Sequence, residues 1–106
     1  MANYAPSIRV RIPQVTDSKK AIRLFYEKTE IGNAEINAIF GGHLSSARVA
    51  KLKHLAVQRM QENNVPRYDN HKVNIECAYE VWGIDIKRLE RGIDKINKLF
   101  GGDFDD

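Results

Sequence analysis

Gly83 constrains this chain more than any other single residue, because it divides the stretch Asn74–Phe100 (N-I-E-C-A-Y-E-V-W-G-I-D-I-K-R-L-E-R-G-I-D-K-I-N-K-L-F) into two helical patterns. Glycine takes positive φ at little steric cost, so it ends a helix where the chain must turn sharply. The spacing predicts a short helix over Ile75–Trp82, capped by Asn74, and a longer one from Ile86 to about Phe100. Asp85 is the expected cap of the second, its carboxylate accepting backbone N–H bonds. Ile84 plugs the turn, and Leu89 and Ile93 face inward.

The same punctuation recurs upstream. Thr16-Asp17-Ser18 offers caps for a first helix of about Ser18 to Thr29, with Ala21, Leu24 and Phe25 inward. Asn33 is the expected cap of a short second helix, Ala34–Phe40, stopped by Gly41-Gly42. Ser45 or Ser46 caps a third helix reaching about Asn63, where Asn-Asn-Val-Pro ends it. Val49, Leu52, Ala56 and Met60 form its apolar stripe, with Leu55 at the edge. Before these helices, Ile8, Val10 and Ile12 alternate with Arg9 and Arg11, the pattern of a strand or extended arm. No second convincing strand is apparent to pair with it.

Phe40-Gly41 and Trp82-Gly83 are placed alike: each follows a short helix with an Asn cap and precedes a longer basic helix. With the first turn two residues longer, Val49 corresponds to Leu89 and, poorly, Leu52 to Gly92. The fold expected is mainly α, about five helices with one or two helix-turn-helix-like units and a short N-terminal extended segment. At 106 residues one domain is expected, with lobes 1–66 and 73–102 about a polar connector, 67–72, as the alternative, and 103–106 as an acidic tail.

A short helix, a tight turn and a longer basic helix outline a helix-turn-helix, a module that usually binds DNA. Over residues 74–93, I-E-C-A-Y-E-V-W-G-I-D-I-K-R-L resembles the pattern of excisionase and MerR-type proteins, among the helix-turn-helix proteins of phages and mobile elements. The resemblance covers about a quarter of the chain and implies double-stranded DNA as partner and a regulatory or recombination-accessory role.

Charge agrees in its distribution more than in its total. Net charge is +3, but residues 1–72 hold twelve Lys/Arg against six Asp/Glu, and residues 73–106 hold five against eight. Between Ser45 and Arg59 there are four Lys/Arg and no acid. Ser46, Arg48, Lys51 and His54 lie on or beside the exposed face of the third helix and are the first candidates for DNA contact. Small Ala47 and Ala50 permit close approach. The second candidates are Lys87, Arg88 and Arg91 on the last helix, where first-turn cations oppose the helix dipole and a phosphate would relieve them. An ordinary solvated face accounts for either surface equally, and Glu90 and an Asp94–Lys98 pair weaken the second. Arg9 and Arg11 are candidate arm contacts.

Ile86, Leu89, Ile93, Ile96 and Phe100 recur at heptad spacing. They serve either the core or a homodimer seam. The second supports the competing function, a protein-interaction or assembly module without DNA binding, with phage packaging or virion assembly as a setting. Enzyme chemistry is not expected. His43, His54 and His71 lack metal-ligand spacing, Gly41-Gly42 lacks the Lys-Ser/Thr of a phosphate loop, and the single cysteine, Cys77, lies in an apolar helical pattern. No metal, cofactor or membrane partner is expected. One cysteine and no long apolar run suggest the cytoplasm.

Overall fold

Short capped helices around one two-rung β-pair build the architecture. The computed structural model describes residues 11–99. In chain order these form α1 (Ser18–Glu27), β1 (Glu30–Ile31), α2 (Asn33–Ile39), α3 (Ser46–Glu62), β2 (Val73–Asn74), α4 (Ile75–Trp82) and α5 (Ile86–Leu99). The mainly helical reading holds. Two strands that the sequence did not suggest form the sheet among the described residues: β1 and β2, antiparallel, pairing Glu30 with Asn74 and Ile31 with Val73. Most of the Ile8–Ile12 pattern, with Arg9, lies outside the described residues, as do Phe100 and the acidic tail.

Caps set most of the boundaries. The Lys20 N–H donates to Asp17 Oδ1 at 3.0 Å and starts α1, which ends two residues before the expected Thr29. The expected Asn33 cap is corrected: Gly32 is the N-cap of α2, and its N–H donates to Glu35 Oε1 at 2.9 Å, so Asn33 is already helical. That backbone N–H holds the Glu35 carboxyl below its ordinary range. Ser45 caps α3, Asn74 caps α4, and Asp85 accepts from the Arg88 N–H ahead of α5.

The repeat is structural. Gly32 and Asn74 are N-caps of α2 and α4. At the other ends the Gly42 N–H donates to the Asn37 carbonyl and the Ile84 N–H to the Tyr79 carbonyl, each at 2.8 Å. Gly41 and Gly83 have φ of 107° and 76°. One constant shift along the chain relates every one of these pairs. It also relates Ile31 to Val73, which pair across the sheet, and Phe40 to Trp82, whose rings meet edge-on at 5.8 Å. Two equivalent strand–helix–glycine units therefore face each other across a local two-fold axis. Gly83 has open space where a Cβ would stand, so Gly83→Ala tests backbone strain alone. It should cost about 1–2 kcal/mol in urea unfolding.

One core cluster draws on both sides of residues 67–72, with Ala21, Ile36, Leu52 and Met60 packed with Val73, Ile75, Tyr79 and Trp82. The polar connector between the two alternative lobes is tied at several points. Arg67 donates to the carbonyls of Asn70 and Lys72, and the Tyr68 N–H donates to Glu30 Oε2. The two polar tips on α4 anchor it to different neighbours: Tyr79 Oη donates to the Ala21 carbonyl at 2.8 Å, and Trp82 Nε1 to the Leu52 carbonyl at 2.9 Å. Arg59 adds an ion pair from α3 to Glu80 at 2.9 Å. Cys77 is buried, as its apolar pattern predicts, and burial pushes its thiol up from the ordinary value.

Burial also raises the Tyr79 phenol above its ordinary value, because the phenolate loses solvation. The sign follows from linkage. Tyr79 contributes fully while the unfolded phenol stays neutral, below about pH 10, and that contribution is lost as pH rises through the higher folded value. Tyr79→Phe should therefore cost about 1 kcal/mol near neutrality through the lost hydrogen bond. In thermal melts the gap between parent and variant should close, then reverse, as pH rises above about 10. A gap independent of pH would contradict this account.

Candidate nucleic-acid interface

The third helix presents the surface its spacing predicts. Val49, Leu52, Ala56 and Met60 are buried, while Ser46, Ala47, Arg48, Ala50, Lys51, His54 and Gln58 are exposed along α3. At 17 residues, α3 is long enough to lie along a groove. The Ser45 hydroxyl accepts from the Arg48 N–H at 3.2 Å, so the helix begins with its cap beside the small residues Ser46 and Ala47.

Its four cations are not equivalent. Lys53 Nζ donates to Asn33 Oδ1 at 3.0 Å and to the His71 carbonyl at 2.8 Å, so it ties α3 to α2 and to the connector. Desolvation, with Arg67 nearby, lowers its pKa. Arg59 is held by Glu62 and Glu80. The cations left facing outward are Lys51, with His54 one turn on, and Arg48 at the flank. A shallow groove beside that face is lined by Asn33, Asn37, Ser46, Lys53, His54 and Arg67. Asn33, Lys53 and Arg67 were not singled out from sequence. Arg67 arrives from the connector, which no helical period can place.

Arg48 points away from that groove. Its Nη2 donates to the Arg11 carbonyl at 3.3 Å. Segment 11–17 crosses here, fixed by the Thr16 N–H and hydroxyl, which both donate to the Ile39 carbonyl. A second groove is lined by Arg11 to Val15 on one side and by Trp82 to Asp85, Arg88 and Leu89 on the other. The sequence candidates therefore fall into two sets: Ser46, Lys51 and His54 on the face of α3, and Arg11, Arg48 and Arg88 around segment 11–17.

Lys87, Arg88 and Arg91 are all exposed on α5, and Arg88 lines the groove beside segment 11–17. Lys87 lines a different depression, among Glu76, Glu80 and Asp85. Glu90 accepts from Tyr26 Oη at 3.0 Å, an α5-to-α1 tie that raises the tyrosine's pKa. Asp94 and Lys98 form no ion pair among the described residues.

The heptad face is only partly core. Ile86 is buried and Leu89 and Ile93 half-buried, but Ile96 is 44% exposed, Phe100 lies outside the described residues, and Leu99, off the heptad face, is 77% exposed. The helix packs its first turns, against α1 among other elements, and leaves Ile96 and Leu99 near its end exposed.

No group of three or more His, Cys, Asp or Glu able to hold a metal ion is found among the described residues. No helix among them is long and apolar enough to cross a membrane. Comparison with protein-family models, with curated proteins and with solved structures returned no match.

Proposed function

We infer that this protein binds double-stranded DNA as a helix-turn-helix module, in a regulatory or recombination-accessory role of the phage or mobile-element type. The observation that carries the reading is the exposed face of α3. Lys51 and His54 stand there beside Ala47 and Ala50, and no acid occurs between Ser45 and Arg59. Cations against phosphates supply affinity, and polar side chains at base edges supply sequence preference. Ser46, Lys51 and His54 are the groove-facing set, and Lys87 and Arg91 play no part in it. Electrophoretic mobility shift on mixed-sequence duplex DNA tests the reading: a retarded band at micromolar protein in low salt is expected, and its absence rejects it.

A second reading is favoured by the uncovered end of α5. Ile96 and Leu99 present apolar surface that a second copy of the chain would bury. In that reading the protein is an assembly module and the basic faces meet solvent. Light scattering at high protein concentration separates the two: a dimer disrupted by Ile96→Glu supports it, and a monomer rejects it.

A further inference from the structure

Segment 11–17 links three arginines that lie far apart in the sequence, Arg11, Arg48 and Arg88. Ser45 caps α3 through the Arg48 N–H, and Asp85 caps α5 through the Arg88 N–H. Arg48 and Arg88 each stand three residues past the cap of their own helix, although α3 packs against α4 and β2 in a way that α5 does not repeat on α2 and β1. Their helices start just beyond Phe40 and Trp82, whose rings touch near the local two-fold axis. Segment 11–17 crosses between the units. It is fixed to the end of α2 through Thr16 and Ile39, offers the Arg11 carbonyl to Arg48, and shares a groove with Arg88. Arg11, Arg48 and Arg88 are all exposed, and among the described residues none is paired with a carboxylate. The one acid lining that groove, Asp85, accepts from a helix N–H.

Three exposed guanidiniums come from three segments, with Asp85 the one carboxylate lining the groove of Arg11 and Arg88, and an anion at this surface would offset their charge. Arginine is also the side chain whose planar fork best matches phosphate oxygens. We propose that Arg11, Arg48 and Arg88 form one composite clamp for the sugar-phosphate backbone, built where segment 11–17 passes the starts of α3 and α5. The proposal rests on duplex DNA being the partner and deepens that reading. The second unit then serves as a backbone anchor and not as a second base-reading module. Its role is to hold α3 in register on the groove, so the clamp contributes equally to every DNA sequence.

Fluorescence-anisotropy titration of a labelled mixed-sequence duplex tests this with Arg88→Ala, Arg11→Ala, Lys87→Ala and Lys51→Ala beside the parent. Each phosphate contact contributes close to tenfold in affinity at about 0.1 M salt, and its loss lowers the log–log salt slope by about 0.9. Arg88→Ala and Arg11→Ala should each show that loss on duplexes of unrelated sequence, with Arg88→Lys recovering part of it. Lys87→Ala, which removes the same charge one residue away, should match the parent. The clamp is overturned if Lys51→Ala weakens binding while Arg88→Ala does not, a result that leaves the α3 reading intact. It is also overturned if Lys87→Ala and Arg88→Ala are equally weak, because α5 is then a diffuse cationic surface. A parent that does not bind at all removes the DNA reading and the clamp with it.

Discussion

Trp82→Ala should destabilise the fold by about 3–5 kcal/mol, enough to leave a domain of this size marginally folded or unfolded at 25 °C. Trp82 is 4% exposed and does three things at once. Its indole fills the space between the units, it meets Phe40 edge-on, and its Nε1 donates to the Leu52 carbonyl of α3. Truncation leaves a cavity at the two-fold axis that the equivalent residue, Phe40, is already too engaged to fill. Trp82→Phe separates the contributions. It keeps most of the apolar volume and loses the hydrogen bond, so its cost should be nearer 1–2 kcal/mol. Circular dichroism in urea is the measurement, because Trp82 is the chain's one tryptophan and its fluorescence disappears with it. A Trp82→Ala variant within about 1 kcal/mol of the parent would show that the units do not depend on each other.

The second large effect concerns binding. Arg48→Ala/Lys51→Ala should weaken duplex binding roughly 60-fold at about 0.1 M salt, from two phosphate contacts of about eightfold each. The two residues are chosen because the other cations on α3 are spoken for. Lys53 is bonded to Asn33 and the His71 carbonyl, and Arg59 to Glu62 and Glu80. Both substituted side chains are exposed, so the double variant should melt with the parent. An unchanged affinity would move the interface off α3.

The helices were legible because their causes are local. Gly41, Gly83 and the Asn-Asn-Val-Pro run end them, and the stripe Val49, Leu52, Ala56 and Met60 orients α3 as the spacing predicts. The sheet was not legible. Two-residue strands have no period to detect, and Ile31 meets Val73 only through pairing far apart in the chain. Gly32 hid its role for a related reason: the cap is made by the Glu35 side chain reaching back to a backbone N–H, so the capping residue itself carries no side chain. The echo of Phe40-Gly41 in Trp82-Gly83 was visible as spacing, but not that the equivalent rings touch.

The candidate surface divides along the same line. Exposure of Ser46, Lys51 and His54 follows from one helix and its period. The fates of Arg48, Lys53 and Arg67 depend on segments packed from elsewhere, so the count of four cations on α3 overstated what faces outward. On α5, adjacent Lys87 and Arg88 look interchangeable in sequence. They diverge because successive helical residues point about 100° apart: Lys87 lines a depression with Glu76 and Glu80, Arg88 the groove with Arg11, and Asp85 borders both.

The salt dependence of duplex binding by the parent protein tests the central claim most directly. Arg11, Arg48, Lys51 and Arg88 on phosphates predict a log–log slope of about −3 to −4, or roughly 100-fold weaker binding at 200 mM than at 50 mM salt. Binding that is absent at micromolar protein in about 50 mM salt, or a slope near zero, contradicts the account.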